Sequence, residues 1–113
     1  MSAVVNQLNA DFFKTLGHPG RLRVLELLGE REHSVSEMLP EVGVEASNLP
    51  QQLPVLRMAG LMMTRKEGSG VYYSLTTPRV TELLAVLDEM LAEQMDLMTE
   101  LRAHMAPADI ASG

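Results

Sequence analysis

The sequence predicts a mainly α-helical fold that carries one two-stranded β hairpin. Apolar residues recur at helical spacing from residue 9 to residue 58, and glycines and prolines divide that stretch into short helices. Two β-prone runs follow, joined by the glycine-rich turn 68–70. From residue 78 to about residue 105 an apolar stripe again recurs at helical spacing. The predicted order is therefore four helices, a hairpin and a long helix.

The first two helices are predicted over about residues 9–16 and 19–28. Gly17 ends the first helix, and Gly29 is the expected C-terminal cap residue of the second. Pro19 suits the first position of the second helix, because the N–H that proline lacks has no helical partner there. His18, just before it, is interpreted as a helix cap, with metal ligation as the alternative.

The third helix is predicted from its N-terminal residues. Ser34 and Glu37 have the spacing of a capping box, in which the serine hydroxyl accepts from a backbone N–H and the glutamate reaches back. The helix is expected over about residues 36–42, and Gly43 ends it. His33 lies before it in a predicted loop, where we expect an exposed side chain, with a ligand role as the alternative.

The fourth helix is predicted to begin at Ala46 or Ser47 and to end near residue 58. Its inner face carries apolar residues spaced four and three apart, namely Leu49, Leu53 and Leu56. Pro54 lies in the interior, where proline lacks an N–H and clashes with the carbonyl four residues earlier. We therefore predict an irregular helix here.

This order of elements is typical of a winged helix-turn-helix. A short helix, a glycine turn and a second helix form the helix-turn-helix, and the hairpin 62–75 forms the wing. We predict one domain over residues 1–113, with a DNA-binding core at about 9–75. The long helix 78–105 would serve dimerisation, and 106–113 would be a flexible tail.

The composition is that of a globular protein. The chain has 113 residues, 46% of them hydrophobic and 21% charged, and contains no cysteine. Disulfides, thiol catalysis and thiolate metal sites are therefore excluded. No apolar run reaches the roughly 18 residues of a membrane span, and residues 1–8 lack the features of a signal peptide. We expect a cytoplasmic protein with no membrane partner.

Three blocks of the sequence resemble the ArsR/SmtB-type regulators, in the same order and spacing. They are residues 16–25, 48–61 and 65–75, and the resemblance extends over roughly residues 10–92. It implies a homodimer that binds an inverted repeat in a promoter, with an effector that changes the affinity for DNA. The chain departs from the family at Pro50, where serine is usual, and at Gln52, where histidine is frequent.

The fourth helix would then be the recognition helix, and its polar side chains would meet the DNA. Asparagine and glutamine can bond adenine bidentately in the major groove, and basic residues of the wing can meet phosphates. An exposed face that is only solvated is the alternative for the two glutamines. The predicted DNA-binding residues are Ser47, Asn48, Gln51, Gln52, Arg57, Arg65 and Lys66.

The net charge of −6 is unusual for a protein that binds phosphates, but its distribution is uneven. Residues 1–79 carry eight acidic and eight basic side chains, whereas residues 80–113 carry seven acidic side chains and one basic side chain. A neutral body can still present a local basic patch, while the acidic segment faces elsewhere.

The long helix is predicted to form the dimer interface. Its apolar stripe lies opposite an acidic side, and one small domain cannot cover so long an apolar face. The same helix of a second subunit would cover it, so the prediction is a two-fold homodimer through terminal helices. The predicted interface residues are Leu84, Leu87, Leu91 and Met98.

The metal sites that the resemblance implies are not carried over to this chain. Where many relatives have two cysteines, the matching residues are Ser34 and Ser36. Other relatives bind a metal through Asp and His early in the last helix, together with His and Glu late in the same helix of the partner. The matching residues here are Thr77, Arg79, Met90 and Glu93, and only Glu93 is retained as a ligand. Glu100 and His104 are one turn apart and could share nickel, zinc or cobalt, with an ordinary solvated acidic face as the alternative.

Three functions follow as hypotheses. The chain is a DNA-binding regulator controlled by a metal, the same regulator controlled by a partner protein or small molecule, or a dimeric protein-interaction module that lost DNA binding. An enzyme is not expected, because the sequence has no glycine-rich phosphate loop, no cysteine and no catalytic spacing of its three histidines.

Overall fold

The computed structural model describes residues 2–43 and 48–104. The elements in chain order are α1 (Ala3–Leu16), α2 (Pro19–Glu30), β1 (His33–Ser34), α3 (Val35–Val42), α4 (Leu49–Met58), β2 (Met62–Glu67), β3 (Gly70–Leu75) and α5 (Arg79–His104). The predicted four helices, hairpin and long helix are all present in this order. The predicted tail 106–113 and the predicted start of the fourth helix at Ala46 or Ser47 lie outside the described residues.

The chain divides into two compact units. One unit ends at Thr81 and contains every element from α1 to β3, and the other begins at Glu82 and contains most of α5. In the first unit the inner faces of the helices supply the core, and Val24, Leu25, Met38 and Leu56 are completely buried. No helix within the described residues has the length and apolarity to cross a membrane.

The helix ends confirm two predicted caps. The Nδ1 atom of His18 accepts from the backbone N–H of Gly20 at 3.0 Å, which caps α2. The hydroxyl of Ser34 accepts from the backbone N–H of Glu37 at 3.3 Å, and the Glu37 carboxylate accepts from the backbone N–H of Ser34 at 3.0 Å. Both hydrogen bonds of the capping box of α3 are therefore formed.

Removing this cap is expected to destabilise the protein measurably. Ser34→Ala leaves the Glu37 N–H without its acceptor, which costs about 1 kcal/mol at a typical N-cap. For a chain of this size we expect Tm to fall by about 4 °C at fixed protein concentration, measured by circular dichroism. Ser69→Ala, in the exposed wing turn, is the matched control and should leave Tm unchanged. Equal effects of the two variants would contradict the role of the cap.

The sheet has three strands rather than the two that were predicted. Its order is β1-β3-β2, and His33 and Ser34 pair antiparallel with Tyr73 and Tyr72. The expectation of an exposed loop histidine at His33 is wrong, because this pairing draws the residue into the sheet and leaves it 3% exposed. Its Nδ1 atom lies 2.8 Å from the Arg31 carbonyl oxygen and must donate to it.

Two helix boundaries also differ from the prediction. α1 begins six residues earlier, at Ala3, where the Ser2 hydroxyl accepts from the Val5 N–H. α2 continues through Gly29 to Glu30. A Cβ atom at Gly29 would lie 2.7 Å from the hydroxyl of Thr81, so the glycine permits a close approach rather than ending the helix.

The helix α4 runs through Pro54 without ending there. Leu49, Leu53 and Leu56 are all buried, as their spacing predicted. Proline has no N–H, so the carbonyl of Pro50 lacks the donor that the fourth residue onward would normally supply. The irregularity predicted at Pro54 therefore consists of one missing backbone hydrogen bond, and the helix continues past the proline.

Candidate nucleic-acid interface

The outer face of α4 is polar and exposed. Because its leucines point inward, Asn48 and Gln51 lie exposed near the start of the helix and Arg57 near its end. The side chain of Asn48 occupies the N-cap position but makes no capping hydrogen bond. Amide groups that do not serve the helix itself can bond to base edges. Ser47, also predicted to contact DNA, lies outside the described residues.

Gln52 is placed differently from the other predicted DNA-binding residues. It is half-buried, and its side-chain carbonyl oxygen accepts from Nε of Arg21 at 2.6 Å. Arg21 also donates from Nη1 to the carbonyl oxygen of Thr15 at 3.0 Å, so one guanidinium connects the end of α1, α2 and α4. In this arrangement Gln52 holds α4 against α2. Spacing along the helix could not reveal this contact, because its partner is 31 residues away.

The wing carries two basic residues in different environments. Arg65 donates to both carboxylate oxygens of Glu32, at 3.2 and 2.5 Å, and to Glu67 at 2.9 Å. Its guanidinium also lies 5.1 Å from the ring centroid of Tyr72. The hydrogen bonds from Arg65 lower the pKa of Glu32, and the carboxylates raise the pKa of Arg65. Lys66, in contrast, is exposed on β2.

Several other basic side chains are paired with carboxylates. Arg23 lies 3.5 Å from Glu41 and Arg31 lies 2.9 Å from Glu37. Within residues 2–43 and 48–104, no carboxylate lies within ion-pair distance of Arg57 or Lys66. On the helix α4 and the hairpin, these two residues therefore carry positive charge that no carboxylate of the described residues pairs with.

The exposed side of α5 is strongly apolar. Of the four predicted interface residues, Leu84 is buried, whereas Leu87, Leu91 and Met98 are 38%, 49% and 51% exposed. Other large apolar side chains of this helix are also exposed, namely Val86, Met90, Met95, Leu97 and Leu101. Large exposed apolar patches are uncommon in monomeric proteins, so a helix with this many exposed apolar side chains is typical of an interaction surface.

The proposed metal ligands lie near the end of α5. Glu100 and His104 are one helical turn apart and both are exposed. In the part of the chain that the structure describes, no group of three histidine, aspartate or glutamate side chains is arranged to hold a metal ion. Any ion shared by Glu100 and His104 would need further ligands from elsewhere.

Comparison with known proteins gives a consistent result. The model of the family described as "Bacterial regulatory protein, arsR family" matches residues 18–62. An uncharacterized HTH-type transcriptional regulator of Mycobacterium tuberculosis is 49% identical over 102 residues, which cover 86% of this chain and 90% of that protein. The crystal structure of M. tuberculosis Rv0081 superposes with a TM-score of 0.79 at 48% identity, covering 87% of this chain and 99% of that one.

A further solved structure adds information on assembly. It is the homodimeric winged helix-turn-helix DNA-binding domain Mb0332 of Mycobacterium bovis, determined by NMR. It is 26% identical, with a TM-score of 0.71, and covers 83% of this chain and 87% of that one. A protein of Xylella fastidiosa that is 38% identical over 78 residues is named as a biofilm growth-associated repressor, and the match covers 69% of this chain and 68% of that protein.

Proposed function

This chain belongs to the ArsR family of bacterial regulatory proteins, and we propose that it binds an inverted repeat in promoter DNA as a homodimer. The observation that carries the proposal is the exposed polar face of α4, followed in the same compact unit by a hairpin whose Lys66 pairs with no carboxylate of the described residues. A polar helix that enters the major groove and a wing that meets the adjacent phosphates are the two contacts that this fold provides.

The recognition step is assigned to α4. Asn48 and Gln51 would bond to base edges, and Arg57 would bond to a base or a phosphate. Ser47 belongs to the same proposal because it immediately precedes this exposed turn in the sequence. The bond between Gln52 and Arg21 supports a positioning role for Gln52, since a bidentate adenine contact needs both the carbonyl oxygen and the amide of the side chain.

The phosphate contacts are assigned to the wing. Lys66 can meet a phosphate directly, because it is exposed and is not paired with a carboxylate in the described part of the chain. Arg65 would have to exchange Glu32 or Glu67 for a phosphate. Both paired carboxylates are partly exposed, so this exchange needs little desolvation and resembles the breaking of a surface ion pair.

Weakening the pair between Glu32 and Arg65 is expected to strengthen DNA binding. Glu32→Gln removes a negative charge that competes with phosphate for the guanidinium, and we expect about three-fold tighter binding at low salt. Fluorescence anisotropy with labelled promoter DNA measures the change. Glu93→Gln makes the same change in net charge on α5 and should have a smaller effect. Weaker binding by Glu32→Gln would mean that Glu32 positions Arg65 for DNA rather than competing for it.

The dimer is assigned to the apolar face of α5. Leu87, Leu91 and Met98 are each more than one-third exposed in the single chain. Their burial against a second copy would remove this surface from water, which stabilises association by about 25 cal/mol for each Å² of apolar area. The two recognition helices of such a dimer would contact half-sites about 34 Å apart, one turn of DNA.

Two kinds of effector are considered for this regulator. A divalent ion such as nickel, zinc or cobalt at Glu100 and His104 remains the metal hypothesis, because imidazole and carboxylate suit these ions. Two ligands on one helix require additional donors, which a partner subunit or water would supply. Control by a partner protein or a small molecule is the alternative.

The deciding experiment is an anisotropy titration of the full chain with DNA from its own promoter. It is performed at two salt concentrations, with and without each of the three metals. We expect saturable binding that weakens steeply with salt, because bound phosphates release counterions. A metal that shifts the curve in wild type but not in His104→Ala would support the metal site. Absence of DNA binding at both salt concentrations would favour the protein-interaction module instead.

A further inference from the structure

A cavity lies beside the outer face of the recognition helix. It has a volume of about 210 Å³ and is lined by Val35, Pro50, Leu53, Pro54, Arg57 and Tyr73. Three elements therefore meet at it: the first turn of α3, one side of α4, and β3. The two prolines are one helical turn apart, so their compact rings lie on the same side of α4 and form one wall.

Five of the six described lining residues are apolar or aromatic. Val35, Leu53 and the two prolines supply hydrocarbon surface, and Tyr73 adds an aromatic ring. Arg57 is the charged group among the described lining residues, and no carboxylate of the described chain lies within ion-pair distance of it. A guanidinium at the edge of an apolar cavity, without an acidic partner, is a binding group for a carboxylate.

We propose that this cavity binds a small apolar monocarboxylate, with its hydrocarbon part among the prolines and Tyr73 and its carboxylate on Arg57. The volume is sufficient for a small ring, since an apolar protein cavity of roughly 150 Å³ accommodates benzene. A cavity of 210 Å³ accommodates one ring, or a branched chain of similar size, together with a carboxyl group. A guanidinium can bond both oxygens of a carboxylate at once, and Arg57 would do so here.

The position of the cavity couples it to DNA, and this part of the inference rests on the proposed function. Arg57 would serve both the ligand and the DNA. A bound carboxylate neutralises its charge and holds the guanidinium at the cavity, so the same group no longer attracts a phosphate or a base. The ligand therefore acts as an effector that weakens DNA binding, and by linkage DNA weakens the binding of the ligand to the same degree.

The test uses benzoate as the probe and the full chain without DNA. Binding is followed by ¹H–¹⁵N chemical shifts, with benzamide as the neutral compound of the same shape and acetate as the carboxylate without a ring. We expect benzoate to shift the amide signals of Val35, Leu53 and Tyr73, with a dissociation constant of about 1 mM for so small a ligand. Benzamide and acetate should each bind at least about ten-fold more weakly.

Two variants assign the site. Arg57→Gln should weaken benzoate binding about ten-fold and remove the preference over benzamide, whereas Lys14→Gln removes one charge on α1 and should leave the titration unchanged. Equal binding of benzoate and benzamide to wild type would overturn the role of Arg57. Shifts that are absent from the three cavity residues would overturn the site itself, and neither result depends on whether a variant folds.

The DNA measurement then separates this inference from the proposed function. Benzoate at a saturating concentration should weaken promoter binding by wild type several-fold, whereas neither benzamide nor acetate at the same salt concentration should do so. If the chain binds benzoate at the cavity but binds no promoter DNA, the proposed function fails and the ligand site stands. If the chain binds DNA and benzoate does not change the affinity, the effector role is overturned.

Discussion

A reversal of charge on the wing is expected to reduce affinity for promoter DNA by about two orders of magnitude. In Arg65→Glu/Lys66→Glu each subunit replaces two cations near the phosphates with two anions, and a dimer does so twice. The slope of log affinity against log salt should also become shallower, by about 0.9 for each phosphate contact that is lost. Anisotropy titrations at four or more salt concentrations give both quantities.

This variant needs a control for folding, because Arg65→Glu places a third carboxylate beside those of Glu32 and Glu67. Lys66→Glu alone avoids that cluster and should retain the wild-type Tm while losing part of the affinity. Lys14→Glu reverses a charge on α1 and should have a smaller effect on DNA binding. Promoter binding that is unchanged in the double variant would show that the hairpin is not a phosphate-binding wing.

The second large effect is expected for substitutions in α5, the helix to which the dimer interface is assigned. Leu87→Glu/Leu91→Glu places two carboxylates in the apolar face, and a charge buried without a partner opposes association strongly. We expect the protein to sediment as a monomer of 12.4 kDa rather than at twice that mass. Promoter affinity should fall by at least about 100-fold, because the second half-site is then no longer bound within the same complex.

Ala85→Glu/Ala92→Glu is the matched control for this experiment. It adds the same two charges to α5, but helical spacing places both positions on the side of the acidic residues. This control should remain dimeric and should bind DNA nearly as well as wild type. A dimeric Leu87→Glu/Leu91→Glu protein would contradict the assignment of α5 as the interface.

The features that the sequence predicted correctly depend on neighbouring residues. The capping box uses Ser34 and Glu37, three positions apart, and the cap of α2 uses His18 and Gly20. The hairpin likewise depends on two β-prone runs joined by a short glycine-rich turn. Interactions of this range are visible in the sequence because the chain itself brings the two groups together.

The features that the sequence missed depend on distant partners. β1 has two residues, too few to show a pattern, and it exists because His33 and Ser34 pair with a strand about 40 positions later. Gln52 was predicted to face DNA because it is polar, but its carbonyl oxygen is bonded to Arg21. Arg65 was predicted as a plain cation, and its partner Glu32 is 33 residues away. The DNA-binding residues therefore remain predictions, which the titrations of the wing variants and of Glu32→Gln test.

The pairing of basic side chains with carboxylates has a consequence for how the proposed regulator would find its operator. A regulator must locate one site among the roughly 10⁶–10⁹ nonspecific sites of a genome. Arg23, Arg31 and Arg65 are paired with Glu41, Glu37 and Glu32, so the phosphates of random DNA would have to compete with these carboxylates at each of the three arginines. Weak capture by random sequence leaves more protein free to sample sites. At the operator, hydrogen bonds from α4 to the bases would add to the free energy of binding. That gain would offset the loss of the ion pair between Arg65 and Glu32.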